Sequence, residues 1–215
     1  MKRRIVSMLL VLCMTLSMLP MQSLAAEIQS NDNSEKSKTV QNQFSDVKKS
    51  DWFYESVMLA VQNGIFSGTG ENSFSPNSTM TRAMYVTVMG KIAKINPADY
   101  KGIGEFSDVQ SDKWYAPYVK WANDKGITSG IGNGKFNPDG LITREQMATL
   151  TVKFFDVNKI TYPNTTITST PADIDSVSSY AREAVLKLWS CGLMKGEGNG
   201  NFNPKKNATR AEGGH

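Results

Sequence analysis

Histidine and cysteine are scarce in this chain of 215 residues, and their scarcity excludes several kinds of active site. The one histidine is the last residue, His215, so a serine–histidine–aspartate triad is excluded. With no cluster of cysteines and histidines, we predict no metal site and no cofactor. Only Cys191 lies outside the N-terminal segment described next, so we expect no internal disulfide and a buried small side chain rather than a reactive thiol.

Long apolar runs are also absent, except near the N-terminus. Three basic residues precede an apolar stretch over residues 5–19, and small residues follow it. This order is typical of a secretory signal peptide, here residues 1–26, and the stretch is too short to span a bilayer comfortably. Residues 27–43 are rich in Ser, Asn, Gln, Lys and Glu, which predicts a disordered linker. We therefore expect a secreted protein with no membrane association after signal cleavage.

The charge balance excludes a further class of partner. The formal net charge is +4, but the signal peptide carries three of the basic residues, which leaves 21 basic against 20 acidic ones. No run of Lys and Arg with interleaved aromatic residues is present. We therefore predict no nucleic-acid partner, and any positively charged binding site must be local.

What the sequence does contain is one pattern that occurs three times. The motif Phe-Ser-Asp-Val at residues 44–47 returns 62 positions later, and so do a Gly-Ile pair, a Phe-x-Pro motif and a Thr-Arg pair. Counterparts of the last three appear again 66 positions further along. A fixed period of this size marks units that bury too little surface alone and stack on their neighbours. We delimit three repeats, at residues 44–95, 106–158 and 171–215.

Each repeat is predicted to be a helix, a glycine-rich loop and a second helix, so the fold class is all-α. Apolar residues at helical spacing mark the first helix, and a glycine ends it. A threonine caps the second helix, and a Glu or Gln three residues later completes a capping box, which Met84 breaks in the first repeat. The glycines are Gly64, Gly126 and Gly192, and the threonines are Thr81, Thr143 and Thr209.

The glycine-rich loops are interpreted as tight turns. They lack the lysine of a phosphate-binding loop and the spaced carboxylates of a calcium loop. We expect them to set one phenylalanine of each repeat into the core: Phe74, Phe136 and Phe202.

An arginine occupies the first turn of each second helix, where the helix dipole disfavours a cation by about 0.3–1 kcal/mol. These residues are Arg82, Arg144 and Arg210. One interpretation is an ion pair with the aspartate of the opening motif, which is Asp46, Asp108 or, in preference to Asp175, Asp173. The other is that the guanidinium faces a groove and binds an anion through a bidentate fork. The two interpretations are compatible.

An aromatic residue at the start of each first helix also has two interpretations. These residues are Trp52, Trp114 and Tyr180. The ring is either a core anchor or a wall against which the C–H face of a sugar ring stacks.

The three repeats resemble the S-layer homology (SLH) domain. The Thr-Arg-Ala-Glu motif that closes this domain is intact at residues 209–212 and occurs in variant form at residues 81–84 and 143–146. The resemblance implies three lobes in a pseudo-threefold bundle, with grooves between neighbouring lobes. It also implies that the grooves bind secondary cell-wall polysaccharide on peptidoglycan, through pyruvyl ketals whose carboxylate suits the arginine fork. The candidate ligand-binding residues are Arg82, Arg144, Arg210, Asp46, Asp108, Asp173, Trp52, Trp114, Tyr180, Gly68, Gly130 and Gly196.

The third repeat departs from the other two at its end. After Glu212 the sequence reads Gly-Gly-His, without the apolar residues that continue the other second helices. We therefore expect an incomplete third lobe that leaves Val185, Leu188 and Trp189 bare and favours self-association. A truncated reading frame and a gene fragment both account for this ending.

The function expected from these features is non-catalytic anchoring at the bacterial cell wall or S-layer. The aspartates recur with the repeat rather than forming one unequal pair, which argues against acid–base catalysis. One alternative is the N-terminal anchor fragment of a larger surface enzyme. The other is a self-assembling S-layer subunit, which would normally need a large assembly domain.

Overall fold

The computed structural model describes residues 42–165, 167–196 and 198–214. The predicted signal peptide lies outside this part of the chain, and so does the predicted linker apart from Asn42 and Gln43. Within the described ranges the α-helices are α1 (Tyr54–Gln62), α2 (Arg82–Ile92), α3 (Ala116–Asp124), α4 (Arg144–Asn158), α5 (Arg182–Ser190) and α6 (Arg210–Gly213). Short 3₁₀ turns occupy Pro97–Tyr100, Ile174–Ser176 and Ser179–Ala181. The only β-pairing in these ranges consists of isolated bridges, so the fold is all-α as predicted.

The first helices end, and the second helices begin, at the residues that the local sequence indicates. The first helix of each repeat is followed by a glycine in the left-handed region: Gly64 (φ 67°), Gly126 (φ 73°) and Gly192 (φ 74°). Each second helix is capped by its predicted threonine, whose side chain accepts a hydrogen bond from the amide three residues later. The expectation that Met84 breaks the first capping box is wrong. The amide of Thr81 donates to Met84 Sδ at 3.5 Å, so a weak sulfur acceptor replaces the carboxylate.

The phenylalanine after each glycine-rich loop is the centre of its repeat's core, as predicted. Phe74, Phe136 and Phe202 are all fully buried. The ring of Phe74 lies between those of Phe44 and Phe66, at centroid distances of 5.6 and 5.7 Å. Complete burial of such a side chain contributes about 1.5–3 kcal/mol relative to exposure.

The second helix of one repeat packs on the first helix of the next. Helix α2 lies against α3, and α4 lies against α5. The bare face predicted in the third repeat is therefore absent, because Val185 and Leu188 are fully buried in a cluster with Ala148 of α4. Trp189 is half-buried, and its Nε1 donates to Ser169 O at 2.8 Å. The prediction failed because it assigned the cover of α5 to the second helix of the same repeat.

Helix α1 is packed differently from α3 and α5, since no described helix lies along it as α2 lies along α3. Leu59 of α1 is 61% exposed, whereas Trp121 at the matching position of α3 is 3% exposed. Ile92 of α2 is also exposed, whereas its counterpart Phe154 is buried beside Trp121. Cys191 is buried with a free thiol, as predicted.

Three residues that precede the second helices join the repeats through their backbones. Met80 N donates to Ala208 O at 2.9 Å, Ala208 N to Ile142 O at 2.8 Å, and Ile142 N to Met80 O at 3.0 Å. All three side chains are fully buried. These hydrogen bonds form a closed cycle through the three repeats, so the first turns of α2, α4 and α6 lie close together.

Candidate functional site

The first turn of each second helix is completed by a loop of another repeat. Arg82 N donates to Gly140 O at 2.9 Å, and Ala83 N donates to Pro138 O at 3.0 Å. The equivalent pairs are Arg144 N with Lys206 O, Glu145 N with Pro204 O, Arg210 N with Ser78 O and Ala211 N with Pro76 O. Helix-terminal amides need such partners, because no carbonyl of their own helix reaches them. The same carbonyl oxygens place partial negative charge at the helix end, which reduces the cost of a cation there.

The side chains of the three predicted arginines bind the same neighbouring repeats as their backbone amides do. Each Nε donates at 2.8 Å to a phenylalanine carbonyl, in the pairs Arg82–Phe136, Arg144–Phe202 and Arg210–Phe74. Each guanidinium also lies over the ring of the same phenylalanine, with its carbon 4.5 to 4.8 Å from the centroid. All three side chains are buried. A buried arginine without a carboxylate would be costly, but a carbonyl and an aromatic face each compensate part of its desolvation.

The terminal nitrogens of the three arginines differ in their hydrogen-bond partners. Arg144 forms an ion pair with Glu212 through Nη1 and donates through Nη2 to Lys195 O at 2.7 Å. Arg210 donates through Nη2 to Ser67 O at 2.8 Å. Burial lowers the pKa of Arg82 and of Arg210, opposed by nearby acidic groups, yet a guanidinium stays charged at neutral pH.

The three predicted aspartates do not pair with the arginines, so the ion-pair interpretation is wrong. Each carboxylate instead accepts hydrogen bonds from two successive amides in the Phe-x-Pro loop of its own repeat. The distances are 2.7 to 2.8 Å, from Phe74 and Ser75 to Asp46, from Phe136 and Asn137 to Asp108, and from Phe202 and Asn203 to Asp173. The residue before each proline has positive φ: Ser75 (55°), Asn137 (58°) and Asn203 (58°). The aspartate thus holds a tight loop in a conformation that the sequence analysis missed.

The choice of Asp173 over Asp175 in the third repeat is correct. Asp173 receives the loop amides, whereas Asp175 is exposed and pairs with Arg182 at 2.9 Å. Burial opposes ionisation of Asp46 and Asp108, but the loop amides outweigh it and lower the pKa of both carboxyls. The Ser73 hydroxyl adds a third donor to Asp46 at 2.8 Å.

The aromatic residues at the start of the first helices are not core anchors. Trp52, Trp114 and Tyr180 are 61%, 59% and 58% exposed. The next residue in each case is buried: Phe53, Tyr115 and Ala181. The first two rings meet their buried neighbours edge to face, with centroids 5.3 Å apart in both repeats. These contacts fix the orientation of a ring that is open to solvent, which leaves the sugar-wall interpretation as a proposal.

Trp52 and Arg144 belong to one cavity of about 480 Å³, although they lie far apart in sequence. Its lining combines Trp52 of the first repeat, Arg144 of the second and Gly196 of the third, with Glu212 and Lys206 beside them. A ligand in this cavity would therefore touch all three repeats. The sequence analysis placed each groove between two neighbouring repeats and did not foresee the third contribution.

The candidate glycines have a structural role in their loops. A Cβ atom on Gly130, which has φ of 78°, would collide with the carbonyl oxygen of Lys135 and with the Phe106 ring. At Gly196 it would collide with the carbonyl oxygen of Asn201. At Gly68 it would come within 2.8 Å of the Ser73 carbonyl oxygen. The absence of a side chain therefore lets each loop close on itself, and Gly196 also lines the cavity.

A buried carboxylate that the sequence analysis missed lies at Glu145, where the other repeats have alanine. It accepts hydrogen bonds from Ser178 N at 2.9 Å, Ser178 Oγ at 3.0 Å and Tyr180 Oη at 3.3 Å, and pairs with Lys205 at 2.7 Å. Burial opposes its ionisation, but Lys205 and Ser178 outweigh it and lower the pKa of Glu145. Burial and the Glu145 charge raise the pKa of Tyr180 to about 12, so the phenol stays a donor. The sequence signal that could have revealed this site is the glutamate at a position where the other two repeats have alanine.

Neither a metal centre nor a membrane span is found in the part of the chain that the structure describes. No group of three or more His, Cys, Asp and Glu side chains there could hold a metal ion. No helix in the same part is long and apolar enough to cross a bilayer.

Comparison with known proteins gives consistent matches over the repeats. The chain is 32% identical to an endoglucanase of Bacillus sp. (strain KSM-635) over 211 residues, which are 96% of the chain and 21% of that protein. It is 31% identical to the S-layer protein sap of Bacillus anthracis over 79% of the chain and 20% of that protein. It is 28% identical to the cellulosome-anchoring protein of Acetivibrio thermocellus over 67% of the chain and 35% of that protein. The chain thus spans about a fifth to a third of these relatives.

The family model of the S-layer homology domain matches at three places, residues 43–83, 105–148 and 172–212. Each match runs from the opening aspartate motif into the first turns of the second helix. These segments contain the aspartates that hold the loops and the arginines and phenylalanines that join the repeats. The chain therefore belongs to the S-layer homology family.

Proposed function

We propose that this protein is a non-catalytic module that anchors itself, and whatever it is joined to, at the bacterial cell surface. The observation that carries the proposal is the cavity in which an exposed indole, a buried arginine and a glycine loop come from three different repeats. Such a site requires the assembled repeats, and it offers a flat apolar wall and cations rather than a catalytic acid and base. We expect the protein to be secreted and associated with the cell wall.

The arrangement we propose for the repeats is a pseudo-threefold bundle. Its support is the closed cycle of backbone hydrogen bonds among Met80, Ile142 and Ala208. A second cycle runs in the opposite donor-to-acceptor order: each arginine donates to the phenylalanine carbonyl of the next repeat, and Arg210 donates to that of the first repeat. Three matched interfaces imply three grooves, each built from an arginine, a glycine loop and an exposed aromatic ring.

The ligand class we propose is a secondary cell-wall polysaccharide carrying anionic substituents such as pyruvyl ketals. The exposed faces of Trp52 and Trp114 suit the C–H face of a pyranose ring. The arginines supply localised positive charge in a chain whose predicted mature form is nearly neutral. A carboxylate on the sugar would then be recognised by local charge–charge contacts rather than by a general field.

Retention of residues 27–215 on purified cell-wall sacculi tests this function. We expect binding to intact sacculi, little binding after the attached polysaccharide is stripped, and weaker binding after mild acid removes the ketals. Trp52→Ala should lower retention, whereas Ile103→Ser, which changes an 89% exposed residue outside the cavity, should not. Equal binding to bare peptidoglycan would refute the proposal.

The relatives favour one refinement, that the module serves as the anchor of a larger surface enzyme. The chain matches only 21% of the endoglucanase, so the rest of that protein lies outside the shared segment. A self-assembling S-layer subunit is the other alternative, since two of the relatives are named S-layer proteins. Sedimentation of the mature chain alone separates the two, because an anchor remains small and an S-layer subunit forms sheets.

A further inference from the structure

The three grooves are chemically unequal, and the inequality begins with the guanidinium groups. Arg144 uses both terminal nitrogens, and Arg210 uses one. Arg82 has no protein partner for either terminal nitrogen within the described residues, although its Nε bond and its ring contact match the others. The one fully buried, unpaired side-chain nitrogen or oxygen in these residues is Thr87 Oγ1. Neither terminal nitrogen of Arg82 is therefore both unpaired and completely inaccessible, although the residue as a whole is only 5% exposed.

The cause of the difference is the third residue of the second helix in the following repeat. For Arg144 this residue is Glu212, whose carboxylate pairs with the guanidinium and also accepts from its own cap, Thr209 N. The matched residue that follows Arg82 is Gln146, whose Oε1 accepts from Thr143 N and carries no charge. The third matched residue, in the repeat that follows Arg210 in the cycle, is Met84. A carboxylate thus occupies one of the three positions.

The surroundings of Arg82 also differ in their aromatic wall. Tyr180 and Arg82 interact electrostatically: the guanidinium lowers the pKa of the phenol, against the larger effects of burial and of Glu145, which raise it. Its hydroxyl donates to Glu145, which is neutralised by Lys205. The other acidic group that acts on Arg82 is Asp108, whose oxygens are already bound by the loop amides. Within the described residues no carboxylate is therefore paired with Arg82. The hydrogen bond to Glu145 fixes the orientation of the Tyr180 ring.

We propose that Arg82, with Tyr180 beside it, is the guanidinium that binds a carboxylate on the ligand, and that Glu212 acts as an internal carboxylate that closes Arg144 to such a group. This inference rests on the proposed function, because it assigns the anionic group of the carbohydrate to one groove. Glu145 is then a positioning residue for Tyr180. The cavity at Arg144 and Trp52 would accept an uncharged part of the same polysaccharide.

The test uses a small probe, a methyl hexopyranoside carrying a 4,6-linked pyruvyl ketal, together with its neutral methyl ester. The quantity compared is the ratio of the two dissociation constants, which cancels any loss of folded protein. We expect residues 27–215 to prefer the acid to the ester at least tenfold. Arg82→Gln should reduce this preference to less than twofold, whereas Arg144→Gln should leave it within twofold of the parent value.

Two further variants separate charge placement from general damage. Glu212→Gln, which keeps an acceptor for the Thr209 amide, should add a second site that prefers the acid, seen as a doubled stoichiometry in calorimetry. Tyr180→Phe should weaken the binding of both probes about equally. It removes the hydrogen bond that Tyr180 donates to Glu145 and leaves the Arg82 guanidinium unchanged.

A preference that survives Arg82→Gln and disappears in Arg144→Gln would overturn the inference. So would equal affinity for acid and ester, or no binding of either probe by a chain that still binds sacculi, and in those cases the proposed function would stand. Failure to bind intact sacculi would instead overturn the proposed function.

Discussion

Two aspartates in the third repeat, two positions apart, allow a sharp test of how the loops are held. Asp173→Asn and Asp175→Asn are the same chemical change and remove the same charge. Asp173 accepts two amide hydrogen bonds at 2.7 Å, whereas Asp175 makes one exposed ion pair with Arg182. A hydrogen bond to a charged group contributes about 1.5–3 kcal/mol, and an asparagine can satisfy one donor but turns its NH₂ toward the other. We expect Asp173→Asn to cost about 2–3 kcal/mol and Asp175→Asn less than about 0.5 kcal/mol, the usual range for a surface pair.

The assay is urea unfolding of residues 27–215, followed by the fluorescence of the tryptophans. With a slope of about 2 kcal/mol per molar urea, the midpoint of Asp173→Asn should fall by about 1–1.5 M. The midpoint of Asp175→Asn should stay within about 0.3 M of the parent value by the same conversion. If Asp175→Asn is the more damaging of the two, or if neither variant shifts the midpoint, then the Asp173 carboxylate does not hold the loop.

Three other predictions follow from the same contacts. Trp121→Ala should lower the free energy of unfolding by about 3–5 kcal/mol because it leaves a cavity. Leu59→Ala, at the matching but exposed position, should change it by no more than about 0.5 kcal/mol. Similar losses for the two variants in urea unfolding would mean that α1 is covered. The lowered pKa of Asp46 and Asp108 means that their stabilisation is fully present above their unfolded value of 3.8 and is lost as pH falls through the lower folded values, so the free energy of unfolding should drop below about pH 4. A double Asp46→Asn, Asp108→Asn variant should have a flatter pH profile in that range, and an unchanged slope would contradict the assignment. Trp52→Ala should weaken binding to sacculi by about 1–2 kcal/mol, as for an exposed anchor residue, while its unfolding midpoint stays unchanged.

The local parts of the fold could be predicted because they depend on neighbours in sequence. Threonine caps and helix-ending glycines use the backbone within four residues, and both were found at the predicted positions. The burial of Phe74 and its counterparts was predictable because an apolar ring recurs at a fixed distance from a tight turn. Met84 was the exception, since a sulfur acceptor is not expected in a capping box.

The remaining errors concern tertiary contacts rather than local structure. One interpretation paired the aspartates with the arginines, yet the aspartates bind amides of their own loops, and the arginines bind carbonyls of the next repeat. The aromatic rings were weighed as core anchors, yet they are exposed. The face of α5 was expected to be bare, yet α4 of the preceding repeat covers Val185 and Leu188. The repeated motifs alone do not indicate which copy supplies a contact, because each copy carries the same motif residues.

The sequence by itself therefore determined the number of repeats, their helices and turns, the residues that fill their cores and the family to which they belong. Those features arise from backbone hydrogen bonding and apolar periodicity within about 50 residues of chain, where spacing decides the partner. The tertiary structure alone decided which repeat meets which. It brings Trp52, Arg144 and Gly196 into one cavity and leaves Arg82 without the carboxylate that Arg144 has. Three similar interfaces can carry different charges, because the residue three positions after the capping threonine is Glu212, Gln146 or Met84, and only the closed cycle of repeats brings Glu212 to Arg144.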